Sequence, residues 1–233
     1  MTMTDVNDLV ARAYGDPAVV GMVLTGSRAR GLATRYSDID LCVVVSERRE
    51  SWWQGRRTAE VDAFVCTVDE LADTSDIWQR YAFRGAQVLV DKLDGVIAQL
   101  VQRQAVPTQA EANTWAREGL DGYVNLLYRA AKSRRDGDLA AAALDIAESV
   151  SWLLTTIFAL HGRLRPYNKY LRWELTTCPM GEPWSADTLP ERLLHDPAGL
   201  FPDIERLARE RGLADVLDAW GDDLHLLRQP RTA

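Results

Sequence analysis

The residues best suited to chemistry lie in one segment near the N-terminus. Gly26-Ser27 ends one apolar run, and Asp38-Ile39-Asp40 opens the next. Because side chains alternate along a strand, both aspartates are predicted to point to the same face. Two carboxylates that close repel each other unless a cation lies between them, and Mg²⁺ takes oxygen ligands while leaving room for phosphates. The spacing therefore predicts a magnesium site.

The glycine and serine predict a phosphate site beside the aspartate pair. Gly26 lets backbone N–H groups approach an anion closely. Residues 28–32 are predicted to open a helix, whose N-terminus favours negative charge. Arg30 lies in the same segment and is assigned, with Gly26 and Ser27, to the residues that bind a phosphate-bearing co-substrate.

A third carboxylate, Asp62, lies in the next predicted strand. Its neighbours Val61 and Ala63 point to the opposite face, so Asp62 shares a side with the aspartate pair if the two strands are adjacent. Three carboxylates beside a phosphate site predict two-metal phosphoryl transfer. One ion would activate an attacking hydroxyl, and the other would hold a triphosphate and stabilise the leaving oxygens.

The pattern of apolar residues changes near residue 106. Before it, short β-branched runs alternate with turns; after it, helical periodicity dominates, starting at a Thr108/Glu111 capping box. We predict an α+β protein with an α/β domain over 1–106, which contains a small mixed sheet, and an all-α bundle over 107–233. The predicted strands are 19–24, 39–45, 60–66 and 87–90, and the predicted helices are 5–14, 68–81, 91–104, 108–136, 139–160, 169–176, 188–195, 201–211 and 214–227.

Charged residues of the helical part are candidates for binding and proton transfer. Lys132 shares a helix face with Asn125, Tyr128 and Arg129, from which it could reach a triphosphate. Glu148 lies in a mostly apolar helix, whose surroundings suit a general base working near neutral pH. The alternatives are a solvated face for Lys132 and a salt bridge within the bundle for Glu148.

The segment from the first strand through Gly26-Ser27 to Asp38-Ile39-Asp40, with its later strand carboxylate, resembles the nucleotidyltransferase superfamily related to DNA polymerase β. Within that superfamily it is similar to the minimal bacterial branch that includes aminoglycoside and lincosamide nucleotidyltransferases. The resemblance covers residues 18–66 well. The helical C-terminal domain resembles that of the antibiotic-modifying members less specifically.

The resemblance implies transfer of a nucleoside monophosphate, most often from ATP, to a substrate hydroxyl with release of pyrophosphate. Gly26 and Ser27 would hold the β- and γ-phosphates, and Asp38 and Asp40 would bind Mg²⁺. Asp62 would act as ligand, base or both, although several relatives place a glutamate there or further along the chain. The segment from Arg165 to Tyr170 resembles one in similar enzymes, where Lys169 would contact phosphate or nucleobase.

Composition excludes several other classes of protein. The chain has 233 residues, 47% of them hydrophobic, and a net charge of −7. An acidic balance suits a cationic acceptor and disfavours a polynucleotide substrate. No signal peptide or membrane span is expected, and Cys42 and Cys66 are interpreted as small buried hydrophobes, so we expect a cytoplasmic location.

Three functions compete at this point. The first is transfer to a hydroxyl of a small acceptor such as an aminoglycoside-like antibiotic. The second is modification of a protein partner, as in toxin–antitoxin systems, and the third is a nucleotide-binding module without catalysis. The chain has no arginine followed four to six residues later by histidine, so the helical part is not itself a HEPN-type ribonuclease. The acceptor and the oligomeric state, a homodimer included, stay open.

Overall fold

The structure is a computed structural model that describes residues 5–48, 52–53 and 57–228. The chain forms two compact units, with the division between Val106 and Pro107. The N-terminal unit combines helices with a small mixed sheet, and the C-terminal unit is helical, as the predicted α+β class requires.

The sheet of the N-terminal unit has the order β3-β2-β1-β4. Strand β1 pairs in antiparallel fashion with both β2 and β4, whereas β2 and β3 are parallel. All four predicted strands are confirmed to within one residue at each end. They are β1 (Val19–Leu24), β2 (Ile39–Val45), β3 (Val61–Thr67) and β4 (Gln87–Asp91).

Both faces of the sheet are covered by apolar side chains. One face packs with Leu9 and Ala13 of the first helix, and the other packs with Ile97 and Val101 of the last helix of this unit. On the second face the Sγ atoms of Cys42 and Cys66 lie 3.4 Å apart. Hydrogen bonding to Cys66, and then burial, raise the pKa of the Cys42 thiol well above its usual value, so both thiols act as buried apolar groups.

The first helix of the N-terminal unit has the predicted length, but two later ones are shorter than the sequence predicts. The single helix predicted over 68–81 is wrong, because the Asp73 carboxylate accepts from the Ser75 N–H and the Asp76 carboxylate caps a new helix. The helix predicted from residue 91 starts later, after Gly95 with φ of +94°. The helices are α1 (Val6–Gly15), α2 (Gly26–Ala29), α3 (Val68–Ala72), α4 (Ile77–Arg80) and α5 (Val96–Ala105), with a 3₁₀ turn at Tyr81–Phe83.

The C-terminal unit is built on two long helices, α6 (Gln109–Arg135) and α7 (Leu139–Leu160). The predicted capping box at Thr108 and Glu111 is confirmed. The helix predicted over 214–227 is divided, because a 3₁₀ turn interrupts it. The remaining helices are α8 (Leu171–Thr177), α9 (Leu189–His195), α10 (Phe201–Glu210), α11 (Ala214–Asp218) and α12 (His225–Arg228), with 3₁₀ turns at Asn168–Tyr170, Pro197–Leu200 and Gly221–Leu224.

Helix α7 is long and apolar enough, by length and composition, to cross a membrane, with a mean hydropathy of 1.4 over 18 residues. Half of that window is buried inside the helical unit. Its Leu153, Ile157 and Phe158 are fully buried in the core of this unit. Burial of this kind is typical of the central helix of a bundle.

Helices α6 and α7 approach closely where α6 carries glycine. A Cβ atom on Gly119 would lie 2.7 Å from Thr156 Oγ1 and 3.2 Å from the Thr156 backbone nitrogen. A Cβ on Gly122 would meet the Trp152 ring at 2.6 Å. Glycine at position 119 is thus held against the backbone of α7, whereas the neighbour of Gly122 is a side chain.

We expect Gly119→Ala to destabilise the protein. Overpacking costs about 1–3 kcal/mol and alanine gains about 1 kcal/mol of helix propensity, so we expect a net loss of about 1 kcal/mol, the middle of the resulting range of about 0–2 kcal/mol. Gly122→Ala is the matched control, because the Trp152 side chain can rotate away while the Thr156 backbone cannot. Urea denaturation measures the free energy of unfolding of both variants. Equal stability of Gly119→Ala and wild type would contradict the close packing.

Candidate active site

The aspartate pair lies where β1 ends and the Gly26 turn begins. The Thr25 backbone N–H donates to the Asp40 carbonyl at 2.9 Å, so the end of β1 is held against the start of β2. Gly26 has φ of +65°, and a Cβ there would lie 2.6 Å from Asp40 Cγ and closer still to its carboxylate oxygen. The missing side chain at Gly26 thus creates the space that the Asp40 carboxylate fills.

The turn after β1 is the four-residue helix α2, which ends at Ala29 and does not continue to residue 32 as predicted. Its carbonyls have partners on the protein side. Leu32 N–H donates to Ser27 O at 2.9 Å, and the Gln87 side chain donates to Ala29 O at 2.8 Å. Because the first N–H groups of a helical turn have no partner within it, this turn can present donors to an anion.

Two arginines near this turn hold the protein backbone. Arg30 is buried and donates to Gly26 O at 2.8 Å and to Tyr81 O at 2.9 Å, so it supports the turn from inside the unit. Its predicted contact with a nucleotide stays a prediction. Sequence reasoning missed Arg28, which donates to Asp38 O at 2.9 Å and to Ser37 O at 2.7 Å and so fixes the backbone of the first aspartate.

Ser27 is only 1% exposed. The serine is therefore almost completely buried, whereas Gly26 beside it is partly exposed. Contact between Ser27 and a phosphate stays a prediction.

The third carboxylate lies beside the second across the parallel strands. Asp62 is the direct register partner of Asp40, so the two side chains leave the same face of the sheet. Asp38 precedes buried Ile39 and is partly exposed like Asp40 and Asp62. The condition that the two strands are adjacent is met, so Asp40 and Asp62 share one end of one sheet face, and Asp38 lies directly before β2.

A cation of the protein already pairs with Asp62. Arg57 Nε donates to Asp62 Oδ1 at 3.2 Å, and the two residues also form an isolated antiparallel bridge. The Arg57 side chain is 83% exposed and that of Asp62 39%, so solvent weakens this ion pair. Sequence reasoning missed Arg57, because the bridge depends on how the segment before β3 folds back against that strand.

The donor set fits Mg²⁺ with two protein ligands. In the part of the chain that the structure describes, no group of three or more His, Cys, Asp or Glu side chains is close enough to hold a metal ion. Mg²⁺ usually binds one or two carboxylates together with substrate phosphates, so Asp38 and Asp40 beside the Gly26 turn suit it. Asp62, paired with Arg57, does not complete a three-carboxylate cluster here.

The helical unit brings two predicted residues together. Lys132 and Glu148 line one hollow of about 490 Å³ between α6 and α7, together with Arg129 and Asp145. Arg129 pairs with Asp145 at 3.1 Å, and this aspartate, which sequence reasoning missed, is nearly buried. The expected apolar surroundings of Glu148 are wrong, because its side chain lies on the exposed face of α7. Its role as a base stays a prediction.

Lys169 lies apart from that hollow, in the 3₁₀ turn before α8. Its Nζ atom lies 5.4 Å from the centre of the Tyr170 ring, and the residue is exposed. Lys169 is not among the residues that line the Lys132 hollow. The role of Lys169 toward phosphate or nucleobase stays a prediction.

Residues 6–119 match the model of a protein family described as the nucleotidyltransferase domain. The match includes the Gly26 turn and all three carboxylates and extends past Val106 into α6. This match supports a nucleotidyltransferase domain in the N-terminal part of the chain, and with it a transferase of the nucleotidyltransferase class.

One similar solved structure is a nucleotidyltransferase-like protein from Exiguobacterium sibiricum. The sequences are 15% identical, the match covers 95% of this chain and 76% of the other, and the TM-score is 0.42. Because that score is low, the class assignment rests on the family match. No curated protein matches the sequence.

We expect Arg57→Gln to strengthen divalent-cation binding, because it removes the cation that competes at Asp62. An exposed ion pair contributes up to about 1 kcal/mol, so affinity for Mn²⁺ should rise by up to about fivefold. Calorimetric titration measures it. Arg48→Gln is the control, because Arg48 pairs with Glu70 instead. Unchanged or weaker Mn²⁺ binding by Arg57→Gln would contradict competition at Asp62.

Proposed function

We propose that this protein transfers a nucleoside monophosphate, from ATP, to a hydroxyl of a small acceptor in a Mg²⁺-dependent reaction. The observation that carries the proposal is the packing of the Asp40 carboxylate against Gly26. It puts a carboxylate beside the N-terminal donors of the turn, and a bound cation and a triphosphate need these two groups side by side.

The reaction forms one bond and breaks one. The acceptor oxygen attacks the α-phosphorus, the bond from that phosphorus to the bridging oxygen breaks, and pyrophosphate leaves with the electron pair. The hydroxyl proton passes to a base. Mg²⁺, held by Asp38 and Asp40, would when bound lower the pKa of the attacking hydroxyl and neutralise charge on the leaving oxygens, and we expect two such ions.

The residues of the N-terminal unit take distinct roles in this proposal. The backbone of Gly26 and Ser27 binds the β- and γ-phosphates, and Arg30 holds the Gly26 carbonyl so that the turn keeps its shape. Asp62 acts as a ligand, as the base, or as both, once Arg57 has left it. Arg57 would then be free to approach the phosphates of the co-substrate.

The helical unit would bind the acceptor. Its Lys132–Glu148 hollow has a size typical of small-molecule sites and carries both signs of charge. Glu148 would accept from an ammonium or hydroxyl group, as in a polyhydroxylated amine of the aminoglycoside kind, while Lys132 and Lys169 would contact phosphate. A small hollow favours a small acceptor over a protein partner. A cytoplasmic location and a homodimer stay predictions.

The test is pyrophosphate release from ATP and Mg²⁺ with a panel of aminoglycosides and lincosamides. We expect release that depends on one acceptor class and that falls in Glu148→Gln. Glu210→Gln, at an exposed position of α10, is the matched control and should behave as wild type. Equal release by both variants would remove Glu148 from the proposal. If no member of the panel supports release, the acceptor is a protein or another metabolite.

A further inference from the structure

The segment that follows α7 contains an arginine with an unusual set of partners. Arg165 Nη1 donates to Ser151 Oγ at 2.9 Å, and Nη2 lies 3.5 Å from Asn168 Oδ1. Among the described residues, the buried Nε atom has no hydrogen-bond partner. The guanidinium therefore donates to two neutral side chains, and both of these can themselves donate to an anion.

Three other arginines of the helical unit differ from Arg165. Arg129, Arg172 and Arg192 each pair with a carboxylate, at 3.1, 2.8 and 2.8 Å respectively. Within the described residues, no Asp or Glu oxygen comes within 4.0 Å of the Arg165 guanidinium. Desolvation alone lowers the pKa of Arg165, which agrees with a partly buried cation that has no counter-charge.

An uncompensated, partly buried charge costs stability, because the cation loses water without gaining an anion. A neutral side chain of similar size could pack at this position without the desolvation cost of the charge. The cost is offset when an oxyanion binds, since the arginine fork matches the geometry of phosphate and carboxylate.

We propose that Arg165, Ser151 and Asn168 form a binding site for an oxyanion, a phosphate or carboxylate group, on the helical unit. The hydroxyl of Ser151 and the amide of Asn168 donate to the anion beside the guanidinium. Exposed Lys169, one residue after Asn168, adds positive charge nearby. The anion could belong to the nucleotide or to the acceptor; both share this chemistry. The site does not depend on the proposed transfer reaction, because binding is measured without turnover.

The test is thermal denaturation of the full chain with inorganic phosphate at constant ionic strength, without Mg²⁺ or nucleotide. We expect phosphate to raise the melting temperature of wild type by several degrees at saturation. Arg165→Gln should lose this rise and should melt, without phosphate, no lower than wild type. Arg134→Gln removes the same charge at an exposed position of α6 and should keep the rise.

A second variant keeps the test decisive. Arg165→Lys retains the charge and stem but not the fork, so it should fold and bind phosphate at least several-fold more weakly. Three results would overturn the site: no rise in wild type, an equal rise in Arg165→Gln, or a phosphate-free melting temperature of both Arg165 variants well below wild type, which would indicate a structural role.

A further arm identifies the source of the anion. If phosphate no longer raises the melting temperature of wild type once Mg²⁺-ATP is saturating, the site takes a nucleotide phosphate. If the rise persists on top of that of Mg²⁺-ATP, the site takes an anionic group of another ligand. Either result supports the site, and loss of transfer activity alone, with phosphate binding intact, would count only against the proposed reaction.

Discussion

Asp40→Asn should lower nucleotidyl transfer by about 10³-fold or more while leaving the protein folded. The asparagine keeps the shape that fills the space at Gly26 but supplies no full negative charge to a cation. Steady-state pyrophosphate release measures the loss. Circular dichroism should match wild type, because the Asp40 backbone still pairs with Thr25 and with β3.

The matched control is Asp69→Asn. Asp69 is an exposed carboxylate in the first turn of α3, in the same unit, so the variant changes the net charge equally without touching the carboxylate pair. Asp69→Asn should retain wild-type rates. In the absence of metal, Asp40→Asn should unfold no more easily than wild type, since one carboxylate fewer relieves like-charge repulsion. Wild-type turnover by Asp40→Asn would remove Asp40 from the metal site.

Gly26→Ala should lower both stability and activity. The new Cβ would overlap the Asp40 carboxylate, and alanine would have to adopt a φ of +65°. Left-handed backbone costs about 1–2 kcal/mol and overpacking about 1–3 kcal/mol, so we expect a loss of about 2–5 kcal/mol in the free energy of unfolding. The displaced carboxylate should also reduce Mn²⁺ affinity, which titration calorimetry detects separately from stability.

Gly31→Ala separates backbone strain from the contact with Asp40. Gly31 has a similar φ of +71°, but a Cβ there meets nothing within 4 Å. Its loss should therefore be limited to about 1–2 kcal/mol, with Mn²⁺ affinity unchanged. If the two glycine variants behaved alike in stability and in metal affinity, the contact between Gly26 and Asp40 would not matter for the site.

The strands and the aspartate pair were predictable because the signals are local. Apolar runs such as Val19–Leu24 and Ile39–Val45, bounded by turn residues and rich in β-branched side chains, favour buried strands at that length. The shared face of Asp38 and Asp40 stays a prediction, because β2 begins at Ile39. The position of Asp62 beside Asp40 followed only on the condition that β3 lies next to β2, which the structure shows and no local pattern dictates.

Other features depend on contacts between residues far apart in the chain. The Arg57–Asp62 bridge and the Arg129–Asp145 pair require the return path of the chain, which no local pattern encodes. The exposure of Glu148 was mispredicted because α7 is apolar overall, while the direction of a single position depends on which side faces α6. The break in helix 68–81 depends on Asp73, whose exposed carboxylate accepts a hydrogen bond from the Ser75 backbone N–H.

The most direct measurement uses ATP labelled with ³²P at either the α- or the γ-phosphate, with the acceptor that supports pyrophosphate release. We predict that the α-label, and not the γ-label, becomes attached to the acceptor, that the transfer requires Mg²⁺, and that Asp40→Asn abolishes it. Attachment of the γ-label would make the protein a phosphotransferase, and undiminished α-label transfer by Asp40→Asn would contradict the carboxylate site on which the proposal rests.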